Sequence, residues 1–145
     1  MDIKTTRFGV LTVESEDLIQ FPAGLLGLED CLSWVLLADA HNESLGWLQN
    51  TKRPDLALAV VSPRRFVPDF QLRVSRSEIA PLSLMEIRQA QVLVIVNKHE
   101  GEITLNMKAP LVINPEKRLG RQVVANGDQP LQYRLPAPVL LRKSA

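Results

Sequence analysis

Histidine and cysteine side chains are the first candidates for metal binding and nucleophilic chemistry, and this sequence of 145 residues contains only His41, His99 and Cys31. Metal sites bring several such ligands together at short spacings. Neither histidine has a second histidine or a cysteine at such a spacing, so we expect no metal site. Cys31 has no nearby histidine or lysine to favour its thiolate, and we expect a structural cysteine. A single cysteine also leaves no internal disulfide, which is typical of a reducing cytosol.

Close pairs of carboxylates are the next candidates, because two of them can share the work of a general acid and a general base. Three such pairs occur: Glu14 with Glu16, Glu29 with Asp30, and Glu100 with Glu102. Only a buried pair has the perturbed pKa that this chemistry needs, and we expect all three in solvent. No serine lies in a Gly-x-Ser-x-Gly turn. The sequence therefore predicts no catalytic or cofactor-binding constellation, with an enzyme of unknown chemistry on a small β-barrel as the alternative.

The glycines at 24 and 27 do not form a phosphate-binding loop, because the lysine and hydroxyl residue of that loop and the third glycine of a dinucleotide-binding turn are missing. Arginines are frequent after residue 63, but the net charge is only +1 and aromatic residues make up 5% of the chain. RNA-binding sheets need positive charge together with exposed aromatic rings for base stacking. We therefore expect no direct nucleic-acid binding, and an RNA-binding β module is a second alternative.

The charge is unevenly divided along the chain. Residues 1–62 carry nine acids and four bases, and residues 63–145 carry seven acids and thirteen bases. Two arrangements fit this division. The favoured interpretation is that folding interleaves the two sets, and the alternative is a surface with one acidic and one basic side.

Length and composition are typical of one globular domain, since domains usually have about 100–200 residues. No stretch approaches the ~20 apolar residues of a membrane helix, and residues 1–5 lack the apolar core of a signal peptide. We expect a single domain over residues 1–135, a mobile tail over 136–145, and a cytoplasmic monomer without membrane contact.

The elements that position these residues are predicted to be short strands, because short apolar runs alternate with turn residues throughout the chain. Runs of this kind lie at 8–13, 18–21, 34–38, 47–49, 56–61, 70–74, 92–96, 103–106, 111–113, 122–124 and 131–135. Residues 77–90 form the one helix candidate, with Ser83 and Glu86 at the spacing of a capping box. Asn126-Gly127 predicts a tight hairpin between the last two runs. Together these patterns predict an all-β domain, a small antiparallel barrel or barrel-like sandwich of about ten strands with one short helix.

Five segments follow one another along the chain, and they read IQFPAGLLGLE at 19–29, GWLQN at 46–50, DLALAV at 55–60, TLNMKAPLVIN at 104–114 and QVV at 122–124, followed by Tyr133. In this order and at this spacing they resemble the FliW family of flagellar assembly factors. The sequence departs from the usual family pattern at three positions. Leu26 stands for a proline, Leu28 for a phenylalanine and Asn50 for a serine. The resemblance extends from about Phe8 to Leu135.

The resemblance implies a non-enzymatic protein without a cofactor that binds flagellin and the translational repressor CsrA. In this family the factor is occupied by flagellin until flagellin is exported, and the released factor then antagonises CsrA, so that flagellin mRNA is translated. Aromatic residues and arginine supply most of the binding energy in protein–protein contacts. The candidate partner-binding residues on that rule are Trp47, Arg64, Arg65, Phe66 and Phe70. The alternative for Phe66 and Phe70 is a place in the core.

Overall fold

The computed structural model describes residues 1–135, and the segment expected to form a mobile tail, 136–145, lies outside the described residues. Within residues 1–135 there are eleven strands and one α-helix. The strands are β1 (Asp2–Thr5), β2 (Gly9–Thr12), β3 (Leu18–Gln20), β4 (Ser33–Ala38), β5 (Gly46–Asn50), β6 (Ala57–Val61), β7 (Gln91–His99), β8 (Glu102–Leu105), β9 (Leu111–Asn114), β10 (Leu119–Gln122) and β11 (Tyr133–Leu135). The helix α1 is Arg76–Ile79, and the predicted all-β class is confirmed.

Seven strands close into a barrel in the order β7-β6-β5-β4-β3-β10-β9, because β9 also pairs with β7. Every neighbouring pair in this ring is antiparallel except β3 and β10. These two strands run parallel and share a single register position, Leu119 opposite Gln20. The β3–β10 pair is therefore the seam of the barrel, and closing it removes the exposed edges of the ring.

The longest strand, β7, connects the barrel to the outer strands. Residues 91–93 pair with β9, Val94 and Ile95 pair with β6, and residues 96–99 pair with β8. Strand β11 then pairs with β8 on the outside. Leu93 and Val94 are both buried, in different apolar clusters, because each face of β7 is covered. The apolar run at 92–96 correctly predicted a central strand.

Large apolar side chains fill the barrel interior, with Phe21, Trp34 and Leu48 fully buried at its centre. The β1–β2 hairpin covers the outer face of β4, where Ile3 and Val13 pack on Val35. On another side, the segment after β6 packs on β7 and β8 through a second cluster that includes Phe66, Phe70 and Leu105. The interior of the barrel is thus a packed core, and any binding site must lie on its outside or at an end.

The sheet order separates the two charged halves of the chain. Strands β3 to β6 belong to the acidic residues 1–62 and are neighbours in the barrel, whereas β7, β9 and β10 belong to the later, basic part. The halves therefore form two sides of one barrel. Strands β3 to β6 contain no charged residue, however, so their order does not decide between interleaved charges and a surface with an acidic and a basic side, and both stay predictions.

The helix predicted over residues 77–90 is wrong in extent. The α-helix ends at Ile79, a 3-10 turn follows over Ala80–Leu82, and Ser83 adopts a left-handed φ of 56° that ends the helical run. Leu82 is fully buried, so tertiary packing determines the path of the chain here. The expected pairing of Ser83 with Glu86 does not form, and Glu86 instead makes a reciprocal cap with Gln89.

Two predicted strand features in the second half are also wrong. Residues 70–74 form no strand, because both Phe70 and Leu72 turn into apolar clusters while the backbone follows an irregular path. The Asn126-Gly127 turn is present, with Gly127 at φ 85°, but it does not join paired strands. Strand β10 ends at Gln122, and β11 crosses to β8 instead of returning to β10. The Asn-Gly turn predicts a change of chain direction, but it does not specify the strand with which β11 pairs.

Candidate protein-binding surface

Trp47 lies on the outer face of β5, half-buried and held from three directions. Its indole nitrogen Nε1 donates a hydrogen bond of 2.9 Å to Oδ1 of Asp39. The Cζ atom of Arg7 lies 4.1 Å from the centre of the indole ring, in a cation–π contact. The ring of Phe8 meets Trp47 edge to face with 6.2 Å between the centroids. The β1–β2 turn therefore fixes Trp47 in place.

Asp39 organises the loop between β4 and β5, residues 39–45. While Oδ1 accepts from Trp47, Oδ2 accepts from the backbone amides of His41 and Asn42, at 3.0 and 2.9 Å. The Trp47 hydrogen bond, followed by the His41 amide, lowers the pKa of the Asp39 carboxyl below its ordinary value because these donors favour the charged form. The loop is thereby tied to Trp47 by an ionised carboxylate at neutral pH.

Arg64 and Arg65 lie in a 3-10 turn, Pro63–Arg65, directly after β6. Both side chains are exposed. The Nε atom of Arg65 donates a 2.9 Å hydrogen bond to Oγ of Ser44, and Nε of Arg64 donates a 3.0 Å hydrogen bond to the carbonyl oxygen of Phe70. The loop 39–45 therefore bonds to both candidates: Asp39 at its start accepts from Trp47, and Ser44 near its end accepts from Arg65.

The two phenylalanines differ in accessibility. Phe66 is half-buried against the cluster under this segment, so part of its ring stays on the surface. Phe70 is only 6% exposed and lies within that cluster. The structure thus places Trp47, Arg64, Arg65 and Phe66 at accessible positions around one end of the barrel, and it places the Phe70 ring in the core.

Two concave regions flank Arg64, and we name them by their position. The side groove is a cavity of about 560 Å³ between the segment after β6 and the start of β7, with walls that include Phe70, Leu72 and Ile87. The barrel mouth is a cavity of about 650 Å³ with a floor that includes Leu36 and Val60. The helix expected over residues 77–90 gives no indication that Leu72 and Ile87 line this groove. The usable signal in the sequence is the apolar set Leu84, Met85 and Ile87.

The motif residues that carry the family resemblance serve the fold. Oδ1 of Asn106 accepts from the amides of Lys108 and Ala109, and Oδ1 of Asn114 accepts from those of Glu116 and Lys117. Both amides thus stabilise turns at strand ends. Gly24 has φ 68°, and a Cβ atom there would lie 2.5 Å from the backbone of Glu29, so no other residue fits this loop.

The candidate catalytic and metal-binding residues do not lie together in a site within the described part of the chain. All six members of the carboxylate pairs are exposed. Cys31 is buried, with its Sγ 3.9 Å from Nη1 of Arg53. Among residues 1–135, no group of three or more histidine, cysteine, aspartate or glutamate residues lies close enough to hold a metal ion. In the same residues, no helix is long and apolar enough to cross a bilayer.

Comparison with known proteins gives a consistent result over the whole barrel. A family model described as FliW protein matches residues 2–137. A flagellar assembly factor FliW from Natranaerobius thermophilus is 35% identical over 127 residues, covering 86% of this chain and 84% of that protein. One from Bdellovibrio bacteriovorus is 36% identical over 138 residues, covering 94% and 78%. A crystal structure of the flagellar assembly factor FliW superimposes with a TM-score of 0.85 at 25% identity, covering 94% of this chain and 98% of that one.

Proposed function

This chain belongs to the FliW protein family, and from that membership we propose that it acts in the bacterial cytoplasm as a monomer that binds flagellin and antagonises the translational repressor CsrA. The observation that carries the proposal is the match to FliW proteins over residues 2–137, which takes in every described strand. A packed barrel interior and exposed carboxylate pairs also favour a binding protein over an enzyme.

The proposed mechanism is an exchange of partners governed by mass action. Flagellin occupies the protein while flagellin is abundant, and export of flagellin frees the protein for CsrA. A competing ligand at 100 times its Kd leaves about 1% of a single-site protein free. The switch therefore requires only that one partner excludes the other, with no bond made or broken.

We assign the partner-binding surface to the end of the barrel around loop 39–45. Three exposed or half-exposed side chains, Arg65, Phe66 and Trp47, are of the types that dominate protein interfaces. The hydrogen bonds from Trp47 to Asp39 and from Arg65 to Ser44 hold two of them in defined positions before binding. Preorganised side chains lose less entropy on association, which raises affinity.

The excess of acidic residues in the first half of the chain suggests a second part of the mechanism. Residues 1–62 carry five more acids than bases. Where these acids lie near the RNA-binding surface of CsrA in the complex, they repel RNA phosphates. Such repulsion weakens with salt, because the screening length falls to about 8 Å at 0.15 M. Inhibition that does not depend on salt would contradict this electrostatic part.

Calorimetry with purified flagellin and purified CsrA from the same organism tests the proposal. We expect each partner to bind the wild-type protein, and Arg65→Ala or Phe66→Ala to weaken at least one of them while the fold is retained. Lys98→Ala is a matched control, because Lys98 is an exposed cation at the far end of β7. Absence of binding to both partners would overturn the function. Unchanged binding by both surface variants would overturn only the location of the surface.

A further inference from the structure

We propose that the side groove and the barrel mouth together bind one short segment of a protein partner, in which a carboxylate is flanked on both sides by apolar side chains. The inference rests on the proposed function, since it takes the ligand to be part of a protein. It goes beyond that function by specifying the kind of ligand that this part of the surface binds and the residue that contacts the ligand's carboxylate, Arg64.

The two cavities adjoin each other at Arg64. Four lining residues are common to both: Ser62, Arg64, Gln91 and Leu93. Each has the volume of a pocket that holds a few side chains, within the usual range of about 300–1,000 Å³. A ligand that fills both must therefore pass the junction formed by these four residues, and Arg64 is the charged residue there.

The walls on both sides of Arg64 are apolar. Phe70, Leu72 and Ile87 line the side groove, and Leu36 and Val60 line the barrel mouth. Ile87 is 47% exposed at the edge of the side groove, and the nearby Met85 is 87% exposed. Covering such surface releases water and favours binding, and flexible methionine adapts to different apolar partners. The groove thus fits apolar side chains before and after the position of Arg64.

Arg64 supplies a positive charge that the described protein leaves without a counter-ion. Its Nε donates to the carbonyl oxygen of Phe70, which fixes the plane of the guanidinium. Among residues 1–135, no carboxylate lies within ion-pair distance of Arg64. A guanidinium held in this way still presents its Nη donors, and their geometry suits a carboxylate.

The other charges of the groove set the position of the acidic residue. Arg88 lines the side groove but already forms an ion pair with Glu86. Arg65 lies at the barrel mouth, where its Nε already donates to Oγ of Ser44. In the described part of the chain, Arg64 is the one arginine that lines both cavities, so a partner carboxylate between them meets Arg64, and a basic residue at that position is disfavoured.

Fluorescence anisotropy with three capped, labelled peptides tests the inference. Each peptide has two leucines on either side of a central residue, which is glutamate, glutamine or lysine. A charge-assisted hydrogen bond is roughly twice as strong as a neutral one, so we expect the glutamate peptide to bind at least about tenfold more tightly than the glutamine peptide, a difference of 1.4 kcal/mol. We expect no measurable binding of the lysine peptide.

Variants separate the role of Arg64 from general effects on the fold. We expect Arg64→Gln to abolish the preference for glutamate over glutamine, and the matched control Arg88→Gln, in the same groove, to retain it. Arg64→Glu should bind the lysine peptide, a gain that a merely destabilised protein would not show. Ile87→Asp, which leaves the Arg64 hydrogen bond intact, should weaken the glutamate peptide by about tenfold or more.

Equal binding of the glutamate and glutamine peptides to the wild-type protein would overturn the inference. So would the absence of any peptide binding, or equal effects of Arg64→Gln and Arg88→Gln. Wild-type binding to whole flagellin and whole CsrA is measured in the same series. If either whole protein binds while the peptides show no preference, the groove assignment fails alone. If neither whole protein binds, the proposed function fails as well.

Discussion

The seam between β3 and β10 depends on a glycine that no other residue can replace without displacing the core. Gly120 is buried, and a Cβ atom built on it would lie 2.4, 2.6 and 2.8 Å from three ring carbons of Phe21. The φ of Gly120 is not in the left-handed region, so a larger residue is excluded by lack of space and not by backbone conformation. We predict that Gly120→Ala destabilises the barrel.

The magnitude follows from the geometry. To restore ordinary van der Waals contact, the Phe21 ring must retreat by about 1 Å, from 2.4 to 3.4 Å. Phe21 is fully buried among other core side chains, so this movement disturbs its neighbours. Overpacking of this kind costs about 1–3 kcal/mol, and the entropy lost by the unfolded chain returns about 0.4–1 kcal/mol. We expect a net loss of roughly 1–1.5 kcal/mol, which lowers the Tm by about 3–6 °C.

Urea unfolding followed by tryptophan fluorescence measures this loss, since Trp34 is fully buried. Gly46→Ala is the matched control, because the nearest atoms to its new Cβ lie at 3.4 Å and its φ is also ordinary. We expect the control to change stability by less than about 1 kcal/mol. In a Phe21→Leu background, Gly120→Ala should cost less, because the opposing ring is gone. Equal stability of Gly120→Ala and Gly46→Ala would refute this account of the seam.

Three further predictions concern the candidate surface and its support. Hydrogen-bond donors lower the pKa of Asp39 in the folded state, so the contribution of its carboxylate to folding stability is present above its ordinary pKa of 3.8 and is lost as the pH falls through the folded value. The difference in unfolding free energy between wild type and Asp39→Asn, measured by urea unfolding, should therefore shrink from pH 7 to pH 3. A constant difference would contradict this. Phe70→Ala should destabilise by about 3–5 kcal/mol, and Phe66→Ala by clearly less; similar losses in calorimetric unfolding would show that both rings are core. Asn114→Ala should cost about 1–3 kcal/mol, since Nδ2 also donates 2.8 Å to the buried Leu82 carbonyl, and an unchanged denaturation midpoint would contradict that role.

The sequence predicted the elements that depend on neighbours along the chain. The runs at 34–38, 47–49 and 56–61 became β4, β5 and β6, which pair consecutively as hairpins. Local turns and apolar runs contain the information for such pairs. The closure of the barrel could not be predicted in this way, because the seam pairs Gln20 with Leu119, two residues far apart in the sequence.

The candidate surface was only partly predictable for a related reason. Residue types in the segment 64–70 indicate Arg64 and Arg65 as candidates, and both are exposed. The choice between surface and core for Phe66 and Phe70 depends on β7 and β8, which pack beneath them. The wall formed by Ile87 was hidden, because residues 77–90 were expected to be helical. The charge asymmetry is visible in the sequence, but the strand order does not fix its place on the surface, because strands β3 to β6 contain no charged residue.

Partner exclusion is the most direct test of the account as a whole. Labelled CsrA is first bound to the purified protein, and flagellin is then added while fluorescence anisotropy reports the CsrA that remains bound. We expect flagellin to release CsrA in a dose-dependent manner, with a midpoint set by the two separately measured Kd values. A stable complex that contains all three proteins, or CsrA that stays bound at saturating flagellin, would contradict the exchange of partners.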